Sequence, residues 1–318
     1  VTTKEVLAEE DRLIGHCLMG RWRREALRPD WQIQDESLNE EQKAAVRQVL
    51  SSPDFITGIL GQAGTGKTRL LHEVQRGVAA SCRHLLVLTP LAVTAHEVLR
   101  PDGFADAQTI AKFLASEPLQ ERLRGGVLLV DEASLLSTRM AHRLFQVAEK
   151  LDARVVLVGD TGQHHAVERG QAFELLQRFG RMAVAQVGEI QRQKGVYKQL
   201  VGQFAARDYE GAFATLERMP EALVVGPRSE RGQRLAADYV GVLERGRSAL
   251  VVAPTHAECD EVTHAIRDTL KANGLLGEAV HRDILRNLGW TEAQKSDAQH
   301  YQPGLVAQIN HQDRKSVV

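Results

Sequence analysis

Short apolar runs separated by longer stretches of helical length dominate the first half of the chain. The runs Phe55–Leu60, His84–Thr89, Val127–Val130 and Arg154–Gly159 suit strands buried on both faces. Between them lie Thr68–Ala79, Leu91–Leu99 and Ser137–Leu151, which suit helices. Buried strands alternating with helices predict an α/β fold, a parallel sheet covered on both faces. Ahead of the first run, Asn39 can cap a helix while Gln42 reaches back from its third position, a capping box.

A second series begins near Val187. It predicts helices at Val196–Ala206, Tyr209–Met219, Gly232–Leu243 and His256–Asn273, with strand-like runs at Ala222–Val225 and Ala249–Ala253. The pattern divides the chain into a helical lead-in (1–36), a first α/β domain (37–186), a partial second one (187–275) and a mixed, polar stretch (276–318). Loose order is expected after Gly274, with a turn at Tyr301–Gly304 leading into a short strand. In the lead-in, Arg21, Arg23 and Arg24 read as a solvated charged face.

Composition narrows the picture only a little. At 318 residues the chain exceeds what one core usually holds, which agrees with two domains. No run reaches the roughly 18 apolar residues of a membrane span, and the first residues lack a secretory pattern. Cys17, Cys82 and Cys259 are far apart and odd in number, so a reducing cytoplasm is the expected setting. His164 and His165 are adjacent, but no third ligand lies at metal spacing. The formal net charge is −1, so any nucleic-acid site must be a local groove.

Candidate chemistry sits at the ends of the runs. Gly61-Gln62-Ala63-Gly64-Thr65-Gly66-Lys67-Thr68 fits the phosphate-loop pattern GxxxxGK[ST], after a strand and opening a helix. Its backbone N–H groups would face the phosphates of ATP, Lys67 would bridge the outer two, and Thr68 would offer its hydroxyl to Mg²⁺. Arg69, next in the helix, joins the nucleotide-binding set. Val127–Val130 ends in Asp131 and Glu132, which places Asp131 near that metal and Glu132 as base for the attacking water. The run ending at Gly159 leads to Asp160 and Gln163, which either reach the same crevice or form an Asx-type turn. Arg192 is a candidate cationic finger, although on residue type alone a surface arginine is the better reading.

Taken in order, these segments resemble a RecD-like superfamily 1B helicase, most closely the helicase region of MobF-type (TraI/TrwC-like) conjugative relaxases. Leu38–Gln42 resembles the Q motif, in which Gln42 would read the adenine. Leu88-Thr89-Pro90 resembles motif Ia, and Thr109–Leu114 the DNA-contacting segment after it. Val130–Ser134, Gly159–Gly170 and Ile190–Gln193 resemble motifs II, III and IV, the last supporting Arg192 as a finger. Val252–Thr255 is similar to the opening strand of a second motor domain. The resemblance implies a P-loop NTPase (RecA-like) fold with a partial second RecA-like domain and the start of a β-rich insertion. It also implies an ATP- and Mg²⁺-dependent motor moving 5′ to 3′ on single-stranded DNA, a monomer working with relaxosome components. Thr89, Pro90, Thr109 and Thr255 would contact DNA, and Phe113 would stack on a base.

Counterparts of motifs V and VI are not found, so the chain reads as an internal piece of a longer protein. ATP binding is then expected to survive, hydrolysis to be slow and unwinding absent. A nucleotide- and DNA-binding piece without turnover, or a P-loop ATPase outside the helicases, are the alternatives.

Overall fold

The computed structural model describes residues 3–61, 65–162, 168–188, 195–219, 226–277, 280, 285, 288–291 with the backbone of 292–293, and 294–306; the side chains of Arg228 and Ser229 are also left aside. The chain divides into two compact units, Val1–Met219 and Pro220–Val318. Residues 187–219, expected with the second motor domain, fall in the first unit.

The first unit is built on six parallel strands: β1 (Ile56–Gly61), β2 (Leu85–Thr89), β3 (Gln108–Thr109), β4 (Val127–Val130), β5 (Arg154–Gly159) and β6 (Ala183–Val187). Their spatial order is β3-β2-β4-β5-β1-β6. Alternate side chains serve opposite faces, as the pleat requires. Leu128, Val130, Val155 and Leu157 join the core on one face. Val127, Leu129, Val156 and Val158 join the core on the other. Every residue of β4 and β5 is buried, which explains why these runs are continuous rather than alternating in sequence.

Helices α1 (Lys4–Met19), α4 (Ile110–Ala115), α6 (Thr138–Lys150) and α7 (Ala172–Arg178) supply the first face, through residues such as Leu13, Phe113, Phe145 and Phe173. Helices α2 (Glu40–Ser51) and α3 (Lys67–Ala80) supply the second, through Val46, Val49, Leu70 and Val74. A short α5 (Glu117–Arg122) follows α4, and α8 (Gly195–Ala205) packs with α9 (Tyr209–Glu217). The stretch expected as an α-helix at Leu91–Leu99 forms a wider π-type turn at Thr94–Leu99, with Arg100 N–H bonding Ala95 O five residues back.

Two local expectations need correction. Arg24 is not on a solvated face: it pairs with Asp152 and lies over the Phe55 ring, 5.6 Å from its centroid. In the second unit, Ala249–Ala253 forms no strand, and Leu250 and Val252 are 89% and 81% exposed. A strand needs a neighbour to take its N–H and C=O groups, and no strand occurs among the described residues of that unit. The other run, Ala222–Val225, lies outside the described residues, as does much of the chain after Gly277. What is described there is a pair of packed helices, α10 (Arg228–Glu244) and α11 (His256–Ala272), then a short α12 (Glu292–Lys295). No helix among the described residues is long and apolar enough to cross a membrane.

One buried group locks the lead-in onto α3. Glu73, on α3, is fully buried. Its carboxylate accepts from Trp31 Nε1 (2.8 Å), Gln34 N (2.8 Å), Asp35 N (3.2 Å) and the Arg76 guanidinium. Burial alone would raise its pKa, but the Gln34 N–H, Arg76 and Trp31 outweigh it and hold it below the usual range. Replacing Glu73 by Ala strands these donors, so a loss of about 3 kcal/mol in unfolding free energy is expected by urea titration. A loss below about 1 kcal/mol would mean the lead-in is not held this way.

Candidate nucleotide site

The phosphate loop joins β1 to α3, and α3, like α5 and α7, starts without a side-chain cap, but unlike them it also lacks an acidic residue in its first turn. Asn39, Thr109 and Ser137 each accept a first-turn N–H of α2, α4 and α6. Helix α3 has Gly66 at its cap position, no side-chain cap bond and no acidic residue in its first turn. Such a start suits an outside anion at its positive dipole end. Gly66 has φ +74°, a left-handed backbone that glycine adopts without strain.

Side chains around the loop are already placed. Lys67 Nζ donates to Gly61 O at 2.9 Å, folded back over the loop. Gln42 is 3% exposed; its Oε1 accepts from Asn39 N (2.9 Å) and its Nε2 donates to Thr65 O (2.8 Å). The capping box is thus formed, and the same amide ties α2 to the phosphate loop. An adenine contact from Gln42 would have to use its second amide hydrogen or replace one of these bonds. Thr65 is buried, Thr68 is half-buried, and Arg69 is exposed, 3.4 Å from Ser37 Oγ. Ala63 and Gly64 lie outside the described residues.

Asp131 and Glu132 follow β4. Since β4, β5 and β1 are adjacent, their carboxyl ends bring Asp131, Asp160 and the phosphate loop to one edge of the sheet. Asp131 Oδ1 is buried without a hydrogen-bond partner among the described residues. Burial pushes the Asp131 carboxyl up to about 6, and Glu132 adds to it, against the pull of Lys67 and a backbone hydrogen bond. A buried carboxylate short of positive charge, with a lysine nearby, fits a divalent cation of the Mg²⁺ kind. Glu132 has φ +55°, ψ +40°, a left-handed backbone that costs about 1 kcal/mol or more in a non-glycine residue.

After β5, Asp160 Oδ1 accepts from Gly162 N at 2.9 Å, the Asx-type turn weighed above. Gln163 lies outside the described residues, and so does Arg192. The segment is caught again by Glu168, whose carboxylate accepts from Ser137 Oγ at 2.8 Å. Gly170, at φ +98°, packs where a Cβ would fall 1.9 Å from Thr138 Oγ1.

The residues expected to touch DNA divide. Phe113 is fully buried in the core beneath the sheet, so it is no stacking platform; its apolar helix face decides its place. Thr89 is fully buried between β4 and β3, so its hydroxyl cannot reach a strand in solvent. Pro90 is half-buried just beyond it. Thr109 is half-buried and caps α4, accepting from Lys112 N at 3.2 Å. Thr255 is exposed and caps α11, bonded to Glu258 through both N–H and carboxylate.

A family model described as an AAA domain, AAA_30, matches residues 37–221. The chain belongs to that family. The chain is similar to the multifunctional conjugation protein TraI of Escherichia coli K12, 32% identical over 205 residues. It is also similar to the conjugal transfer protein TraA of Rhizobium radiobacter, 25% identical over 249 residues. These matches cover 61% and 76% of this chain but 11% and 22% of the relatives, so the chain spans only a small part of their length. Among solved structures, Pif1 helicase from Candida albicans matches with a TM-score of 0.43 and 18% identity, over 82% of this chain and 61% of that one.

Two bonds in this AAA domain escaped the sequence. Glu41 Oε2 accepts from Gly188 N at 2.8 Å, joining α2 to the end of β6. Ser137–Glu168 joins the segment after Asp131 to the one after Asp160. Both span more than 30 residues with charged or hydroxyl side chains of ordinary surface type, so no local pattern marks them.

The Asp131 charge has a stability cost. Its carboxyl is raised, so the folded chain is penalised by ionisation above its folded pKa, and the penalty fades as pH falls from about 6 towards 4. Asp131→Asn should therefore stabilise the metal-free chain by about 2 kcal/mol at pH 8. The gain should shrink towards zero at pH 4, read as thermal midpoints across that range. A destabilised or pH-independent variant would show that Asp131 is not an uncompensated charge.

Proposed function

We propose that this AAA domain binds ATP·Mg²⁺ between the start of α3 and the Asp131–Glu132 pair and hydrolyses it to move along single-stranded DNA in conjugative transfer. The glycine-started α3 directly after β1 carries this reading, because no side chain among the described residues caps it and such a start suits a phosphate. Lys67 would exchange Gly61 O for the outer phosphates, neutralising charge there. Thr68 and Asp131 would hold the cation, which supplies charge stabilisation at the phosphates. Glu132 would take the proton of the attacking water, its direction fixed by the left-handed backbone. Gln163 and Arg192 would orient that water and stabilise charge on the leaving side. Similarity to proteins named for conjugation supports the DNA-transfer setting, with 5′ to 3′ movement resting on the motif resemblance.

The test is ATP turnover with and without single-stranded DNA. Stimulation by DNA is expected in the native chain. Lys67→Ala should abolish turnover, and Arg192→Ala should lower it about 1000-fold or more. Glu132→Gln should retain nucleotide binding and lose at least about 100-fold in rate. Turnover that ignores DNA would contradict the translocase reading, and binding without turnover would leave a nucleotide-binding module.

A further inference from the structure

The other end of the sheet, where the strands begin, carries a second charged concavity. Strand β5 starts at Arg154, and Arg23, Arg24, Glu25, Arg83 and Asp152 line a cavity of about 240 Å³ with it. Arg154 is 4% exposed. Its terminal nitrogens donate to the carbonyls of Ser52 and Glu25, and Arg83 Nη1 donates to Gly125 O at 2.7 Å. Carbonyls fix these guanidiniums in place but bring no full negative charge. Asp152 is already the partner of Arg24. Asp54, close by, accepts from Trp22 N at 2.9 Å. The Arg154 Nε–H is buried with no acceptor. Burial pushes Arg154 down to about 10, and Arg83 and Arg24 push it further, against Asp54. Four guanidiniums thus meet two lining carboxylates around the cavity, an excess of positive charge that an incoming anion would offset.

The geometry points to an anion site formed by Arg23, Arg24, Arg83 and Arg154 that takes a phosphate group. Forked guanidiniums held at fixed angles match phosphate oxygens better than a halide, and the cavity admits one such group. The site lies at the opposite end of β5 from Asp160, so it does not depend on the nucleotide reading. Free phosphate and the phosphodiester backbone of single-stranded DNA present the same chemistry.

The test uses the full chain carrying Lys67→Ala, so that the phosphate loop contributes as little as possible. Inorganic phosphate is titrated calorimetrically at constant ionic strength against chloride, in the presence of a saturating non-hydrolysable ATP analogue and in its absence. Phosphate should bind where chloride does not, unaffected by the analogue. Arg23→Ala, at an exposed position, and Arg83→Gln should each weaken it about tenfold. If Arg83→Gln fails to fold, Arg23→Ala decides the matter alone. Phosphate affinity unchanged in Arg23→Ala and Arg83→Gln, abolished by the analogue, or equal to that of chloride would overturn the proposal. An oligothymidylate that displaces phosphate with the same arginine dependence assigns the site to the DNA backbone. Phosphate binding that the oligonucleotide leaves untouched assigns it to the free anion. Both of those outcomes uphold the site.

Discussion

The structure of the first unit depends on a parallel sheet buried on both faces. Such a sheet leaves little room for reactive side chains along its central strands, where β4 and β5 are buried at every position. Polar chemistry is pushed to the strand ends, and the parallel arrangement gathers all the carboxyl ends on one edge. Asp131, Asp160 and the phosphate loop converge there because β4, β5 and β1 are neighbours, although 62 residues of chain separate the loop from Asp131. The same constraint produces the arginine-lined cavity at the amino ends, where β5 enters the core through a buried charged residue.

Electrostatics at the carboxyl edge are deliberately incomplete. Helix α3 begins without a cap, Asp131 is buried without enough positive charge, and Glu132 holds a left-handed backbone. Each feature costs stability in the chain as it stands, and on the proposed function each would be offset by a bound phosphate and cation. Around this edge several supporting bonds are formed. Gln42 fastens the loop to α2, Glu41 fastens α2 to β6, and Glu73 fastens the lead-in to α3. Rigid surroundings let the strained and unpaired groups keep their places.

Much of this was legible in the sequence, for physical reasons. Strands β1, β2, β4 and β5 read clearly because burial in the sheet demands continuous apolar runs, and the phosphate loop because glycines and a lysine at fixed spacing have few other uses. The Asn39–Gln42 capping box was local and therefore visible. What was hidden depends on distance along the chain. Glu73 looks like any helical glutamate until Trp31, Gln34 and Asp35 arrive from about 40 residues away. Arg24 looked solvated because Asp152 and Phe55 are remote in sequence. Phe113 and Thr89 were assigned to DNA from motif position, while burial in the sheet's core is what their apolar neighbours dictate. Ala249–Ala253 has the composition of a strand but lacks a described partner strand, and composition alone cannot supply one.

The central claim is that an ionised, uncompensated Asp131 draws a divalent cation to a phosphate held by α3. The most direct measurement is the Mg²⁺-dependent gain in affinity for a non-hydrolysable ATP analogue, compared between the native chain and Asp131→Asn from pH 5 to pH 8. Using the difference cancels titration of the nucleotide itself. The account predicts a gap of about tenfold or more at pH 7.5 that closes as pH falls below about 6, where the Asp131 carboxyl takes up its proton. A gap that is absent at pH 7.5, or that stays constant down to pH 5, would contradict it.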